Sequence, residues 1–315
     1  MTDMAMVAQV VRSGFRESVH DGSVVAVDAT GTVLFAVGEV DDVMLPRSSN
    51  KPLQAAGMVR LGLDLRPDLL AVVGASHSGE DLHVERVRAI LAGARLSEDA
   101  LACPPGLPMD EAARTSMIQR GAAPDRMHVN CSGKHAGMLA TCVVMGWPTD
   151  GYPDPDHPLQ QALRGTVEEL AGEPVGAIGV DGCGAPVFGL TPTGLARAFS
   201  RLATSAPTSA EGRVADAFRA NPVLTSGTTR DENALVSGVP GLVAKAGAEG
   251  CYAVALPDGR GVVCKVADGA ERARTVVMAE ALSRLGVDAG VVEEQRLTPV
   301  YGGGRVVGEV VAAGW

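Results

Sequence analysis

The lysines are the first candidates for chemistry, because this chain of 315 residues has only four of them, at positions 51, 134, 245 and 265. Arginine supplies most of the positive charge, so each remaining lysine is a candidate for a chemical role. Burial or a neighbouring cation can lower the pKa of a lysine until the neutral amine acts as a base, which arginine does not do. Lys265 lies in a predicted hairpin strand and is expected to point to solvent, which leaves three lysines for chemistry.

Ser48 and Lys51 form the first candidate pair, just before Pro52. A Ser-x-x-Lys spacing at the start of a helix places the hydroxyl and the amine on adjacent turns of one face. A neutral, desolvated lysine can then take the serine proton during nucleophilic attack. The alternative is a serine that caps the helix beside a solvated lysine.

Ser76, Ser78 and Lys245 are the next candidates. The two serines follow a predicted strand at 69–73 and precede a predicted helix, a junction where open α/β sheets place chemistry. The alternative for them is a capping box closed by Glu80. Lys245 lies in an apolar run beside small residues, which allows a substrate to approach closely.

A third group contains Cys131, Lys134, His135, Asp181 and Cys183. Two thiols with a histidine and an aspartate nearby could hold zinc, although their spacing fits no common structural zinc signature. The alternative is two ordinary buried cysteines. No export signal is recognised at the N-terminus, so the six cysteines are expected to be free or metal-bound instead of paired in disulfides.

Composition excludes several classes of function. The chain is 46% hydrophobic, which supports a sizeable core, and its formal net charge of −10 leaves no electrostatic footprint for nucleic acid or an anionic membrane surface. Aromatic residues make up only 3%, which argues against a base-stacking surface. No apolar run has the length of a membrane span. A cytoplasmic protein is expected.

The pattern of apolar residues and turns predicts a mixed α/β fold, in which a β-sheet is layered with helices and accompanied by a largely helical region. Hairpins are predicted at 23–37 and 251–266 and a β-segment at 300–311, with the short strand at 69–73. Helices are predicted at 52–62, 80–94, 134–146, 158–171, 190–204 and 271–285. The segment 204–212 is the best linker candidate, but residues 1–315 are treated as one catalytic unit, or two intimately packed subdomains without a defined boundary.

Taken together, the motifs resemble the asparaginase II family of rhizobial-type L-asparaginases. They are Arg47-Ser48-x-x-Lys51-Pro52, Ala75-Ser76-His77-Ser78, Asn130-Cys131-Ser132-Gly133-Lys134-His135, Pro155-Asp156-His157-Pro158, Asp181-Gly182-Cys183 and Leu242-Val243-x-Lys245-x-Gly247. They occur in the order of the family. The chain is shorter than the longer members around 205–240 and at its C-terminus.

The resemblance implies a fold similar to serine β-lactamases and glutaminases, a homodimer, and one zinc ion per chain. The implied site consists of two Ser-Lys tandems, Ser48 with Lys51 and Ser76 with Lys245, and of zinc held by Cys131, Lys134 and Cys183, with water completing the shell. The zinc is expected to organise the substrate site instead of cleaving the bond.

The implied activity is hydrolysis of the side-chain amide of L-asparagine through an acyl-enzyme on Ser48. Arg47 suits the substrate carboxylate and Asp181 its ammonium group, while His135 supports the substrate end of the site. The alternatives are a glutaminase, another serine amidohydrolase of β-lactamase-like fold, and a non-catalytic module that binds zinc or an amino acid.

Overall fold

An antiparallel sheet of eight strands lies at the centre of the protein, which is represented by a computed structural model that describes residues 4–315. Residues 1–3, part of the N-terminal stretch inspected for an export signal, lie outside the described residues. The strands of this sheet are β1 (Ala5–Arg12), β2 (Phe15–Val27), β3 (Val33–Val37), β6 (Val243–Ala246), β7 (Cys251–Ala255), β8 (Gly261–Val266), β9 (Leu297–Gly302) and β10 (Arg305–Ala312), and a separate two-stranded sheet contains β4 (Ala177–Val180) and β5 (Pro186–Gly189).

The order of the large sheet is β6-β7-β8-β2-β1-β10-β9, with β3 also paired to β2. Chain segments from the two ends of the sequence therefore meet in its middle, where β2 pairs with β8 and β1 with β10. Strand β6, which carries Lys245, lies at one end of this order.

Helices cover both faces of the sheet. They are α1 (Lys51–Arg60), α2 (Pro67–Val73), α3 (Asp81–Gly93), α4 (Glu111–Gln119), α5 (Ser132–Met145), α6 (Pro158–Ala171), α7 (Pro192–Thr204), α8 (Ala210–Ala220), α9 (Pro222–Thr225), α10 (Asp231–Gly238), α11 (Glu271–Arg284) and α12 (Gly290–Gln295). No helix within residues 4–315 has both the length and the apolar character needed to cross a bilayer.

Two hydrophobic cores result from the two-residue periodicity of the strands. In β2, Val25 and Val27 face the core shared with α1 to α3 and α5 to α9, whereas Val24 and Ala26 face the core shared with α10, α11 and α12. Successive side chains of a strand point to opposite faces, so a strand buried on both faces is apolar throughout. The structure thus confirms the predicted mixed α/β fold with a sheet layered with helices and a largely helical region.

Most predicted elements are confirmed, including both hairpins, the β-segment at 300–311 and the helices at 52–62, 80–94, 134–146, 158–171, 190–204 and 271–285. The predicted linker at 204–212 joins α7 to α8, and both helices contribute to the same core.

The strand predicted at 69–73 is wrong, because residues Pro67–Val73 form helix α2. All five residues of the apolar run are buried, and a short run that is buried on every side has no periodicity to separate a strand from a helix. Pro67, at the first turn of the helix, was the local signal for the correct assignment.

Candidate active site

Ser48 and Lys51 lie at the start of α1, where a 3-10 helix of residues Arg47–Asn50 leads directly into the α-helix. Arg47 adopts a left-handed backbone conformation, with φ of 52°, which is uncommon for a residue with a side chain and is often found at functional sites. Ser48 is half-buried and lines a cavity, while Lys51 is only 1% exposed. The alternative of a capping serine beside a solvated lysine is wrong, because Asn50 occupies the cap position and Lys51 is buried.

The Lys51 amine contacts the other serine motif. Its Nζ lies 2.9 Å from the carbonyl oxygen of Ala75 and 2.8 Å from Ser76 Oγ. Burial lowers the pKa of Lys51 to about 8, and the positive charges of Lys134 and Lys245 act in the same direction. The structure therefore brings together Ser76 and Lys51, and it provides a buried amine that is partly neutral near physiological pH.

The junction that carries Ser76 and Ser78 connects two helices, α2 and α3, so the expected strand-to-helix junction is wrong. A capping box is absent as well, because the N-cap residue of α3 is Glu80 and no side chain caps this helix. Ser78 instead donates its hydroxyl to the carbonyl oxygen of Ser226, which ties the loop to the segment after α9.

Lys245 is completely buried on β6, and its amine does not hydrogen-bond to Ser76 in the structure. Its Nζ lies 2.6 Å from Glu232 Oε1 and 2.7 Å from the carbonyl oxygen of Ala246. The Ser49 hydroxyl donates to the carbonyl oxygen of Lys245 at 3.0 Å, which holds β6 against the 3-10 helix that carries Ser48.

Ser48 faces a cavity of about 140 Å³ that is lined by Arg47, Ser48, Val129, Asn130, Cys131, Asp181, Gly182, Cys183 and Ala248. Within it, Arg47 Nε donates to Asp181 Oδ1 at 2.8 Å, and Arg47 Nη1 lies 3.6 Å from Glu249 Oε1. Opposite charges thus meet beside the Ser48 hydroxyl. The volume suits a ligand of amino-acid size, well below the several hundred Å³ of most drug-sized sites.

The predicted metal ligands converge on one wall of this cavity. One donor atom each from Cys131, His135 and Cys183 lies within 4.8 Å of the others, and Lys134 Nζ is 3.3 Å from Cys183 Sγ. All four residues are buried. Helix α5 positions three of them at its first turn, and the turn after β4 supplies the fourth. The structure therefore adds His135 to the group predicted for the metal.

The charges in this group depend on one another. The contact between Cys131 and Cys183 holds the pKa of Cys183 far below its ordinary value, and Lys134 and His135 contribute in the same direction. The same contact and burial raise the pKa of Cys131. Burial alone would lower the pKa of Lys134, but the attraction of Cys183, Cys131 and Asp181 raises it. A thiolate on Cys183 is thus compensated by a neighbouring ammonium group.

His135 presents one ring nitrogen to the two thiols and the other to Tyr152. Its Nδ1 lies 2.6 Å from the Tyr152 hydroxyl oxygen, which also accepts a hydrogen bond from the backbone N–H of Ala102. Its Nε2 is buried and has no hydrogen-bonding oxygen or nitrogen partner within the described residues. Such an orphaned donor atom beside two sulfur atoms fits a metal site.

Sequence reasoning missed Glu232, Tyr152 and His77 as parts of this site. His77 is completely buried, and its Nε2 lies 2.9 Å from the hydroxyl of Ser132, which ties the Ser76 loop to the start of α5. His77 lies inside a recognised motif and could have been found there. Glu232 and Tyr152 stand in no motif, and only the folded chain brings them to the lysine and the histidine.

A family model described as L-asparaginase II matches residues 8–312. No curated protein sequence matches the chain. Similar solved structures include one titled Mglu in its native form (17% identity, TM-score 0.47, 84% of this chain and 64% of that chain). A β-lactamase from Mycobacterium bovis is also similar, with 15% identity and a TM-score of 0.44 over 84% of this chain and 94% of that chain. So is a Bacillus glutaminase, with 12% identity and a TM-score of 0.39 over 84% of this chain and 91% of that chain. The matched region thus spans less than two thirds of the Mglu chain.

Proposed function

This chain belongs to the L-asparaginase II family, and we propose that it is an amidohydrolase that hydrolyses the side-chain amide of L-asparagine to L-aspartate and ammonia. One observation supports the proposal most strongly. Ser48 lines a cavity of amino-acid size beside Arg47 and Asp181, and a buried lysine whose pKa is lowered to about 8 follows it by three residues.

Ser48 is the proposed nucleophile. Its Oγ bonds to the amide carbon of the substrate and loses its proton to the neutral amine of Lys51. The C–N bond then breaks, and the departing nitrogen receives a proton from the Lys51 ammonium group and leaves as ammonia. Water then hydrolyses the β-aspartyl ester through the same groups in reverse, which frees L-aspartate and regenerates the Ser48 hydroxyl.

Ser76 is proposed to carry the proton between Ser48 and Lys51. Lys51 Nζ donates to the carbonyl oxygen of Ala75 at 2.9 Å and to Ser76 Oγ at 2.8 Å, and when the amine is neutral the Ser76 hydroxyl can donate to it instead. A hydroxyl both donates and accepts, so Ser76 can pass a proton along without changing its own charge.

Arg47 and Asp181 are the proposed partners of the two ends of the free amino acid. The guanidinium group uses Nε for Asp181 and its Nη1 lies 3.6 Å from Glu249 Oε1, which leaves Nη2 to bind the α-carboxylate of the substrate. The second carboxylate oxygen of Asp181 can accept the α-ammonium group. Only a ligand with both charges satisfies both residues, which favours a free amino acid over a peptide side chain.

A zinc ion is the proposed metal of the cluster. Cys131, Lys134 and Cys183 are its proposed ligands, and His135 is a further donor at the same place. Thiolate and imidazole donors suit this metal, whereas Lys134 would have to lose its proton to bind it. When bound, zinc supplies positive charge that organises the substrate end of the site. His135, held by Tyr152, and Cys183, beside Asp181 in the chain, then keep the cavity wall in place.

A homodimer in the cytoplasm is part of the same proposal, carried over from the family resemblance. Size-exclusion chromatography with light scattering measures the mass in solution, and twice the chain mass of 32.2 kDa is the expected value.

The test of the activity is ammonia release from L-asparagine and L-glutamine, with the ring opening of a β-lactam followed separately by absorbance, each assayed with the wild-type protein and with Ser48→Ala. We expect ammonia from asparagine, with a loss of at least about a thousandfold in the variant. Ser200→Ala is the control, because Ser200 lies in α7, donates to the carbonyl oxygen of Gly259 and does not line the cavity. Hydrolysis of glutamine or the β-lactam in preference to asparagine would contradict the assignment.

A further inference from the structure

Glu232, the second residue of α10, is the immediate partner of Lys245. Its Oε1 accepts a hydrogen bond from Lys245 Nζ at 2.6 Å and another from the backbone N–H of Ala246 at 2.8 Å. Its Oε2 lies 3.4 Å from Arg230 Nη2. Both Glu232 and Lys245 are essentially inaccessible to solvent, at 1% and 0% exposure. A buried carboxylate without a cation is costly, so this pair is most stable as a carboxylate and an ammonium ion.

The surroundings of Lys245 also determine its charge. Burial lowers the pKa of Lys245, Glu232 raises it, and the cations Arg230 and Arg274 lower it. The charged and titratable groups that act on the pair are Arg230, Lys51, Cys251, Tyr252 and Arg274, and Asp231 pairs with Arg274. The pKa of Lys245 is lowered overall, and Glu232 is the group that opposes this lowering.

The two lysines of the site consequently have different partners. Lys51 Nζ contacts the Ser76 hydroxyl, whereas both observed acceptors of Lys245 Nζ belong to Glu232 and to the β6 backbone. An ammonium group has three donors and no acceptor, so it cannot take a proton from a serine.

We propose that Glu232 is a positioning residue that holds Lys245 as a fixed cation against β6, so that Lys51 alone is the base of the site; this inference rests on the proposed function. Lys245 then acts through its charge, which favours the neutral form of Lys51. Ser76 exchanges its proton with Lys51 instead of Lys245.

Glu232→Gln separates this role from a purely structural one. Glutamine has the same shape, and its oxygen still accepts the Ala246 N–H, so the fold is preserved. The amine of Lys245, however, loses the carboxylate that opposes the effect of burial. The variant therefore lowers the pKa of Lys245, and the amine loses its proton at a lower pH than in the wild-type protein.

NMR of protein labelled with ¹³C at lysine Cε measures this directly, because the chain has only four lysines to resolve. Lys245→Met identifies the Lys245 signal. Glu211→Gln is the matched control, since Glu211 is 7% exposed and pairs with Arg60 away from the cavity. We expect the Lys245 titration to move down by at least about one pH unit in Glu232→Gln and to stay in place in Glu211→Gln.

Asparagine hydrolysis provides the second measurement. If the cation is required, the alkaline limb of the kcat/KM profile moves to lower pH in Glu232→Gln by the shift that NMR records, and KM changes less than kcat. Glu211→Gln leaves the profile where it is in the wild-type protein. Folding is monitored through the melting temperature of each variant.

Two results would overturn the inference. An unchanged Lys245 titration in Glu232→Gln would show that Glu232 does not control the charge of the amine. Equal or higher activity of this variant at a pH where NMR shows Lys245 to be neutral would show that the cation is not required. If the wild-type protein released ammonia from no amide, the proposed function would fail, whereas the NMR comparison would still decide whether Glu232 holds the cation.

Discussion

Lys51 Nζ lies 2.8 Å from Ser76 Oγ in an interior from which water is excluded, although the two residues are separated by 25 positions in the chain. The same amine reaches the carbonyl oxygen of Ala75 at 2.9 Å, so the loop between α2 and α3 is held directly against the start of α1. This contact joins the motif of Ser48 and Lys51 to the motif of Ser76, and it places Ser76 beside Lys51.

Lys51→Met should separate activity from stability. We expect ammonia release to fall at least about a thousandfold, because the proposed base is lost. Because the pKa of Lys51 is lowered from 10.5 to about 8, keeping this buried side chain protonated at pH 7 costs the folded protein on the order of 3 kcal/mol. The variant removes this cost but also loses two hydrogen bonds, which contribute about 1 kcal/mol each. The free energy of unfolding, measured in urea at pH 7, should therefore stay the same or increase slightly. Retained activity would exclude Lys51 as the base.

The pH dependence of both kcat/KM and stability should follow the protonation of the Lys51 amine. Only neutral Lys51 can accept the serine proton, so kcat/KM should rise as the pH passes about 8. Lys51 by itself should add stability between about pH 8 and 10.5, because this residue binds more protons in the unfolded chain there, so the stability of the wild-type protein relative to Lys51→Met should increase over this range. Initial rates and urea titrations across this range check both statements, and a fall in kcat/KM between about pH 7 and 9 would disagree with them.

Tyr152→Phe should weaken metal binding without altering any ligand. The Tyr152 hydroxyl holds His135 Nδ1 at 2.6 Å, and loss of such a partner typically reduces metal affinity about ten- to a hundredfold. Zinc content measured after dialysis against a chelator gives the affinity. Tyr301→Phe, at an exposed tyrosine, is the control. Equal zinc retention in both variants would show that Tyr152 does not support the metal group.

Gly133→Ala should destabilise the protein, because a Cβ at this position in the first turn of α5 would collide with the carbonyl oxygen and side chain of Val72 in α2. Overpacking of this kind typically costs about 1–3 kcal/mol. Gly165→Ala in α6 meets open space and should instead stabilise by up to about 1 kcal/mol. Thermal and urea unfolding measure both changes. If the two variants were equally stable, close packing would not be the reason for glycine at position 133.

Sequence reasoning located the cavity residues well, because residue type and short spacing are properties of the chain itself. Arg47, Ser48, Cys131, Asp181 and Cys183 were all singled out, and all five line one cavity. Their convergence from three parts of the chain still required the fold. The strand predicted at 69–73 shows the limit of such reasoning, since a fully buried apolar run has no periodicity from which to read its conformation.

Contacts between residues that are far apart in the sequence could not be predicted from residue type and short spacing. Nothing near Lys245 in the chain predicts Glu232, which stands 13 positions earlier and reaches the amine only because α10 packs against β6. The contact between His135 and Tyr152 likewise forms only because the chain that follows α5 folds back against this helix.

The amino-acid sequence by itself therefore determined the family, the mixed α/β fold and the candidate nucleophile, base and metal ligands, because these depend on residue types at short spacing. Tertiary structure decided which serine each lysine contacts and which lysine has a carboxylate partner. Burial and long-range packing determine the charge of an amine, and neither is a local property of the sequence.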